Sequence, residues 1–212
     1  MNDLSFETMR RAMVASQLRT NAVNDTRVVA AMAEVPRERF VPADQATVAY
    51  ADRGVPLPGG RMLNPPMPLG RLLTELHPQP RDRALVVGAA TGYSAAVLAR
   101  MVASVVALEE DEALPMPAAA PGVRFVHGPL TEGWGEGAPY DLILIDGAVE
   151  AVPPAIIAQL ADGGRLGVAI VEAGVTRLSV GRRAGSGFGL NAFADADATA
   201  LPGFAPPPAF QF

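Results

Sequence analysis

The chain of 212 residues contains no cysteine. Disulfide staples, thiol nucleophiles and cysteine-based metal sites are thereby excluded. Lysine is absent as well, since all 17 basic residues are arginine. Schiff-base chemistry, a phosphate-loop lysine and a Tyr-Lys hydride-transfer pair are therefore impossible. The two histidines, His77 and His127, read as surface or turn residues, and no metal site is expected. No uninterrupted apolar run reaches the roughly 18–20 residues that span a bilayer. Residues 1–11 lack the apolar stretch of a secretory signal, so the expected location is the cytoplasm, with no membrane partner. Positive charge is scarce too. The net charge is −5 and the arginines cluster only in short pairs at 10–11 and 182–183. A broad nucleic-acid surface needs more than that, so no nucleic-acid partner is expected.

What is present fits a globular protein with a sizeable core: 50% of the residues are apolar and 18% charged. Residues 4–18 place Phe6, Met9, Met13 and Leu18 at helical spacing. A second helix starts at the capping types Asn24 and Asp25, runs through Val28, Val29 and Met32, and ends before Pro36. Residues 55–68 carry five Pro and two Gly, too many for regular structure, and read as an ordered loop or cover. A short helix is expected over 69–76.

From residue 83 the pattern changes to short apolar strands alternating with helices. Strands are expected at 84–87, 104–108, 123–126, 141–145 and 165–171, a sixth at 177–181, and a pairing segment at 187–195. Helices are expected at 93–101 and 152–160. Such βαβ units build a mostly parallel sheet covered on both faces. The organisation is then an N-terminal part, residues 1–80, packed on a main domain of residues 81–212 as one structural unit. The tail, 202–212, reads as an extended segment folded back on that domain.

An open parallel sheet binds ligands beyond the carboxyl ends of its strands. The first strand-turn-helix reads LVVGAATGY over 85–93, and its small residues let a ligand approach the backbone. Glu109 ends the second strand about 20 residues after the turn, the spacing at which an acidic residue meets ribose hydroxyls. Gly88 and Gly92 would mark any tight turn; with Glu109 they indicate a nucleoside site. The third glycine of a dinucleotide fingerprint is missing, and no phosphate cradle is needed for S-adenosylmethionine.

The segment GAATGYSAAVLA, residues 88–99, resembles the first motif of the protein-L-isoaspartate O-methyltransferase family. The stretch VPRERFVP over 35–42, Tyr50-Ala51-Asp52 with Pro56-Leu57-Pro58, and Gly163-Gly164-Arg165-Leu166 are similar to family segments in the same order, as in a divergent bacterial branch. The resemblance covers residues 9–172. It implies a Rossmann-like class I S-adenosylmethionine-dependent methyltransferase fold with an N-terminal helical extension. It implies a carboxyl O-methyltransferase acting on a peptide or protein carboxylate, with S-adenosylhomocysteine as product. By the resemblance Gly88, Ala89, Ala90, Thr91, Gly92 and Tyr93 line the methionine portion and Glu109 holds the ribose. Gly128, Pro129, Leu130 and Trp134 lie near the adenine. The substrate loop comprises Gly60, Arg61, Met62, Leu63 and Pro66, with Asn64 in the place of the family's serine. An acceptor carboxylate is ionised at neutral pH, so alignment suffices and no general base is required.

The chain departs from the family pattern at several positions. Asn64, Met62 and Arg61 replace Ser, Thr and Gln of the substrate loop. Val86 stands where the first motif has an acidic residue, Ala90 replaces its middle glycine, and Pro129 stands where an Asp would reach the adenine amine. Residues 111–122, with Pro115, Pro117 and Pro121, are too short and too proline-rich for the helix expected there. Two alternatives stay open: a different carboxylate or a small molecule as acceptor, and a non-catalytic scaffold of the same fold. Arg61 can pair with an acidic acceptor, and Asp146 either binds a ligand or caps the turn after the fourth strand.

Overall fold

The computed structural model describes residues 3–115 and 121–204. Helix α1 (Asp3–Met13) runs on into one wider turn at Val14–Leu18, whose Val14 and Leu18 are buried. Helix α2 (Thr26–Glu34) begins at Asp25, whose carboxylate accepts the Arg27 N–H at 2.8 Å and so satisfies one of the orphan donors of the first turn. It stops where Pro36 makes Val35 extended. The proline-rich stretch is more regular than expected. Strands β1 (Val55–Pro56) and β2 (Met62–Leu63) pair as a small antiparallel hairpin whose tip residues, Gly59 and Gly60, have φ of 68° and 76°.

Helix α3 (Pro66–Leu76) begins three residues before the expected start. Pro66 and Pro68 sit in its first turn, where no backbone N–H is needed for the helix ladder. Leu69, Leu72, Leu73 and Leu76 form its buried stripe, and His77 ends it in the left-handed conformation.

The remaining elements form one seven-stranded sheet. They are β3 (Arg83–Val87), α4 (Tyr93–Leu98), β4 (Ser104–Glu109), β5 (Val123–His127), β6 (Tyr140–Val149), α5 (Pro154–Ala158), β7 (Leu160–Glu172), β8 (Val175–Ala184) and β9 (Gly187–Asp195). The strand order is β5-β4-β3-β6-β7-β8-β9. The first five are parallel, and β8 and β9 return as an antiparallel meander. The chain builds outward from β3 to β5, then crosses to the other side of β3 for β6. The switch point therefore lies between β3 and β6, with a crevice beyond their carboxyl ends.

Alternation along the strands divides the core. Ala84, Val86, Val105, Ala107, Leu142 and Leu144 face the N-terminal helices and α4, packing with Met13, Leu18, Met32 and Leu73. Leu85, Val87, Leu108, Val126, Ile143 and Ile145 face the other way, onto Ile156 of α5, Leu130, Leu201 and Phe204. Each fully buried Val, Leu or Ile among them contributes about 1.5–3 kcal/mol. Helix α3 reaches across to the sheet. A Cβ on Gly167 of β7 would lie 2.7 Å from Leu76 Cδ1, so a side chain there would force Leu76 of the helix to shift.

Several boundaries differ from the sequence expectation. Strand β6 does not stop at Asp146-Gly147 but continues to Val149, with a register shift between Leu144 and Ala148. Asp146 therefore lies within an irregular strand end instead of capping a turn. Helix α5 is half the expected length, because Pro153 and Pro154 fix its start and Leu160 already belongs to β7. Residues 111–115 form a turn and no helix, in keeping with Pro115. The rest of that segment, 116–120, and the tail, 205–212, lie outside the described residues. No helix among the described residues is long and apolar enough to cross a membrane.

Candidate functional site

The turn after β3 is built from three left-handed residues, Gly88 (φ 77°), Ala90 (φ 49°) and Gly92 (φ 92°). Glycine adopts this region freely, whereas Ala90 does so at a cost of about 1 kcal/mol. What holds Ala90 there is its N–H, which donates to Glu109 Oε2 at 2.7 Å, while the N–H groups of Gly88 and Ala89 donate to Leu108 O. The side chains of this turn face inward. Thr91 Oγ1 donates to Phe40 O at 2.6 Å. Tyr93 is fully buried, with the Arg37 guanidinium 4.7 Å from its ring centroid and Phe40 edge-on at 5.5 Å. Thr91 and Tyr93 thus tie the turn to the N-terminal segment and leave backbone to face the crevice.

Glu109 ends β4 with no exposed surface. Its Oε1 accepts the N–H groups of Glu110 (3.0 Å) and Asp111 (3.2 Å), and its Oε2 accepts Ala90 N–H and Arg61 Nη2 at 2.8 Å. The last contact is a buried ion pair between the hairpin and the strand end. Beside it opens a cleft of about 510 Å³, lined by Gly59–Arg61, by Glu109–Asp111 and by residues 199–202. That volume lies within the range of small-molecule and cofactor sites.

Residues 199–204 form a strap across the carboxyl ends of β3 and β6, which the sequence did not place at the site. Ala148 N–H donates to Thr199 O, and Leu201 N–H donates to Ala148 O. Leu201 is packed so closely that a Cβ on Gly88 or Gly147 would lie 2.8 or 2.5 Å from its side-chain atoms. Asn64 fastens the strap from the other side. Its Nδ2 donates to Asp146 O (2.9 Å) and Oδ1 (3.0 Å), and its Oδ1 accepts the Thr199 N–H at 2.9 Å. The amide expected to handle the methyl acceptor is therefore engaged at both ends within the protein.

Arg37 lies beneath this clip, 1% exposed, donating from Nε to Ala49 O and from Nη2 to Asn64 O. No carboxylate lies within ion-pair distance of it among the described residues, and burial lowers its pKa. Asp146 is held above the ordinary carboxylate range, chiefly by desolvation. Hydrogen bonding from Ser94 and Asn64 and the charges of Arg37 and Arg61 oppose that shift. The Ser94 hydroxyl, fully buried, favours the ionised form of Asp146.

On the far side of Glu109, Gly128 N–H donates to Glu109 O at 3.1 Å, and a Cβ there would lie 3.4 Å from the Trp134 ring. Pro129 leads into a single turn at Leu130–Glu132, and Leu130 is buried in the core. Of the substrate-loop residues, Leu63 and Pro66 are buried in the core, Met62 is half-buried, and Arg61 faces the cleft. Arg61 Nε and Trp134 Nε1 are buried with no hydrogen-bond partner among the described residues. Buried polar groups are ordinarily satisfied, and the Arg61 side chain lines the cleft.

An open sheet with its switch point beside an acidic strand end, and an antiparallel pair at one edge, defines a Rossmann-like domain of the S-adenosylmethionine-dependent methyltransferase class. Residues 9–189 match the model of the Protein-L-isoaspartate(D-aspartate) O-methyltransferase family, and the chain belongs to that family.

Two relatives named protein-L-isoaspartate O-methyltransferase are each 39% identical over 184 residues. The one from Methanoregula boonei is matched over 84% of this chain and 85% of its own length, the one from Methylorubrum populi over 84% and 87%. Among solved structures, a protein-L-isoaspartate O-methyltransferase superposes with a TM-score of 0.76 at 23% identity, covering 93% of this chain and 66% of that one. A Plasmodium falciparum structure in complex with S-adenosyl-L-homocysteine superposes with a TM-score of 0.75 at 18% identity, covering 92% and 97%. These two likenesses establish the shared fold.

Proposed function

We propose that this protein methylates a carboxylate of a peptide or protein, the isoaspartyl carboxylate first among them, in the cytoplasm. The observation that carries the reading is Glu109, a fully buried carboxylate at the end of β4 beside the crevice of a chain matched to the family over residues 9–189. S-adenosylmethionine, when bound, supplies the electrophilic methyl group and leaves as S-adenosylhomocysteine. The protein's own residues bind, orient and exclude water. Glu109 accepts from the ribose hydroxyls, the backbone of residues 88–92 borders the methionine portion, and Gly128, Pro129, Leu130 and Trp134 flank the adenine. The hairpin carrying Arg61 and Met62, with the N-terminal 80 residues behind it, covers the acceptor side. No proton need be removed from an acceptor that is already ionised.

The engagement of Asn64 with Asp146 and Thr199 supports a second reading, another carboxylate acceptor, because that amide is not free to meet an isoaspartyl group. Transfer of labelled methyl groups from S-adenosylmethionine to an isoaspartyl peptide and to its normal aspartyl counterpart separates the two. Base-labile methyl ester on the isoaspartyl peptide alone is the expected result. No ester on either peptide, from protein that binds S-adenosylhomocysteine, transfers the proposal to the second reading.

A further inference from the structure

The carboxylate meant for the ribose has no room for it. Each carboxylate oxygen offers about two acceptor positions, and all four on Glu109 are taken. Three of the donors are backbone amides, of Ala90, Glu110 and Asp111, fixed by the turn after β3 and by the end of β4. The fourth donor, Arg61, is the only side chain among them. It stands on a hairpin of two residues per strand, braced by Leu57 N–H to Arg61 O and Arg61 N–H to Pro58 O. The hairpin tip is pressed onto the same strand end, where a Cβ on Gly59 would lie 2.1 Å from Asp111 Oδ2.

Arg61 is also imperfectly housed. The residue is 8% exposed, and its Nε is buried with no partner among the described residues. Leaving a buried donor unmade costs free energy, so the guanidinium is poorly settled beside Glu109 even though its ion pair is short. It lines the cleft together with Glu109 itself.

We infer that Arg61 is a built-in rival of the ribose: it occupies Glu109 in the free protein and sets the site's affinity for the nucleoside, which must displace it. The inference rests on the reading of Glu109 as the ribose-binding carboxylate. Binding exchanges one buried guanidinium contact for the ribose hydroxyls, and the three amide contacts persist throughout. The energy spent on breaking the ion pair is subtracted from the affinity.

Calorimetric titration of S-adenosylhomocysteine into the wild type and into Arg61→Gln tests this. The variant removes the charge and keeps Glu109 on its three amides. Its dissociation constant should fall at least tenfold, about 1.4 kcal/mol. Equal or weaker binding by a folded variant overturns the inference. Arg61→Met, which keeps the unbranched stem, is read the same way if the glutamine variant does not fold. In the wild type the Nε–H resonance of Arg61 should move on saturation, and a resonance that stays in place overturns the displacement. Absence of binding to wild type and variants alike defeats the nucleoside reading itself, an outcome distinct from tight wild-type binding that the variants leave unchanged.

Discussion

Replacing Asn64 by alanine removes the clip between β6 and the strap without touching the backbone contact of Arg37 to Asn64 O. Three hydrogen bonds go: two from Nδ2 to Asp146 and one from Thr199 N–H to Oδ1. A neutral bond is worth about 1 kcal/mol net and one to a charged group about 1.5–3. Thr199 is only partly buried, so water replaces part of what is lost. The expected net loss is about 2–3 kcal/mol, which at this chain length lowers the melting temperature by roughly 4–12 °C. Urea and thermal unfolding measure the loss, and amide exchange at Thr199 and Leu201 reports whether the strap has loosened. A loss below about 0.5 kcal/mol with unchanged strap amides would refute the clip. Asn64→Ser, whose shorter hydroxyl can keep one of the three contacts, should fall between alanine and wild type.

Gly147→Ala places a methyl group against Leu201 and should cost about 1–3 kcal/mol through overpacking. In the Leu201→Ala background the same change should cost less by about 1 kcal/mol, and a double-mutant cycle with no coupling would break the proposed contact. The raised pKa of Asp146 means that the native state keeps this proton to higher pH than the unfolded chain does. Its favourable contribution is thus present at low pH and lost as pH rises through the native value. Asp146→Asn should therefore gain stability relative to wild type as pH rises above about 4, levelling once wild-type Asp146 has ionised in both states. Denaturation midpoints across pH check the sign, and a difference that shrinks with rising pH contradicts it.

The parts of the site legible in the sequence were those with local signatures. The glycine-rich turn after β3 and the acid at the end of β4 follow from spacing within a single βαβ unit, and both stand where that spacing put them. The hairpin was hidden because two paired residues per strand make no periodicity, and proline density masked it. The early start of α3 was hidden because prolines that break a helix interior are welcome in its first turn. Arg61 was read toward the acceptor, yet it spans 48 residues to reach Glu109. Nothing local to either residue announces that pairing. The tail reads in the sequence only as an extended segment from residue 202, while the seat of Leu201 over Gly88 and Gly147 depends on contacts that only the folded sheet supplies.

The ties that close the site bridge long stretches of chain: 82 residues from Asn64 to Asp146 and 135 from Asn64 to Thr199. Contacts of such separation must meet the entropy of closing large loops before they give anything back, so they are expected to form after the sheet. The parallel strands and the β8–β9 meander can assemble while the crevice has no roof. A partly folded molecule of this chain would then have its sheet and helices but nowhere to hold a nucleoside. Ligand affinity is thus a gauge of completed assembly, and a bound ligand stabilises only the finished state, by an amount that grows with its concentration over the dissociation constant.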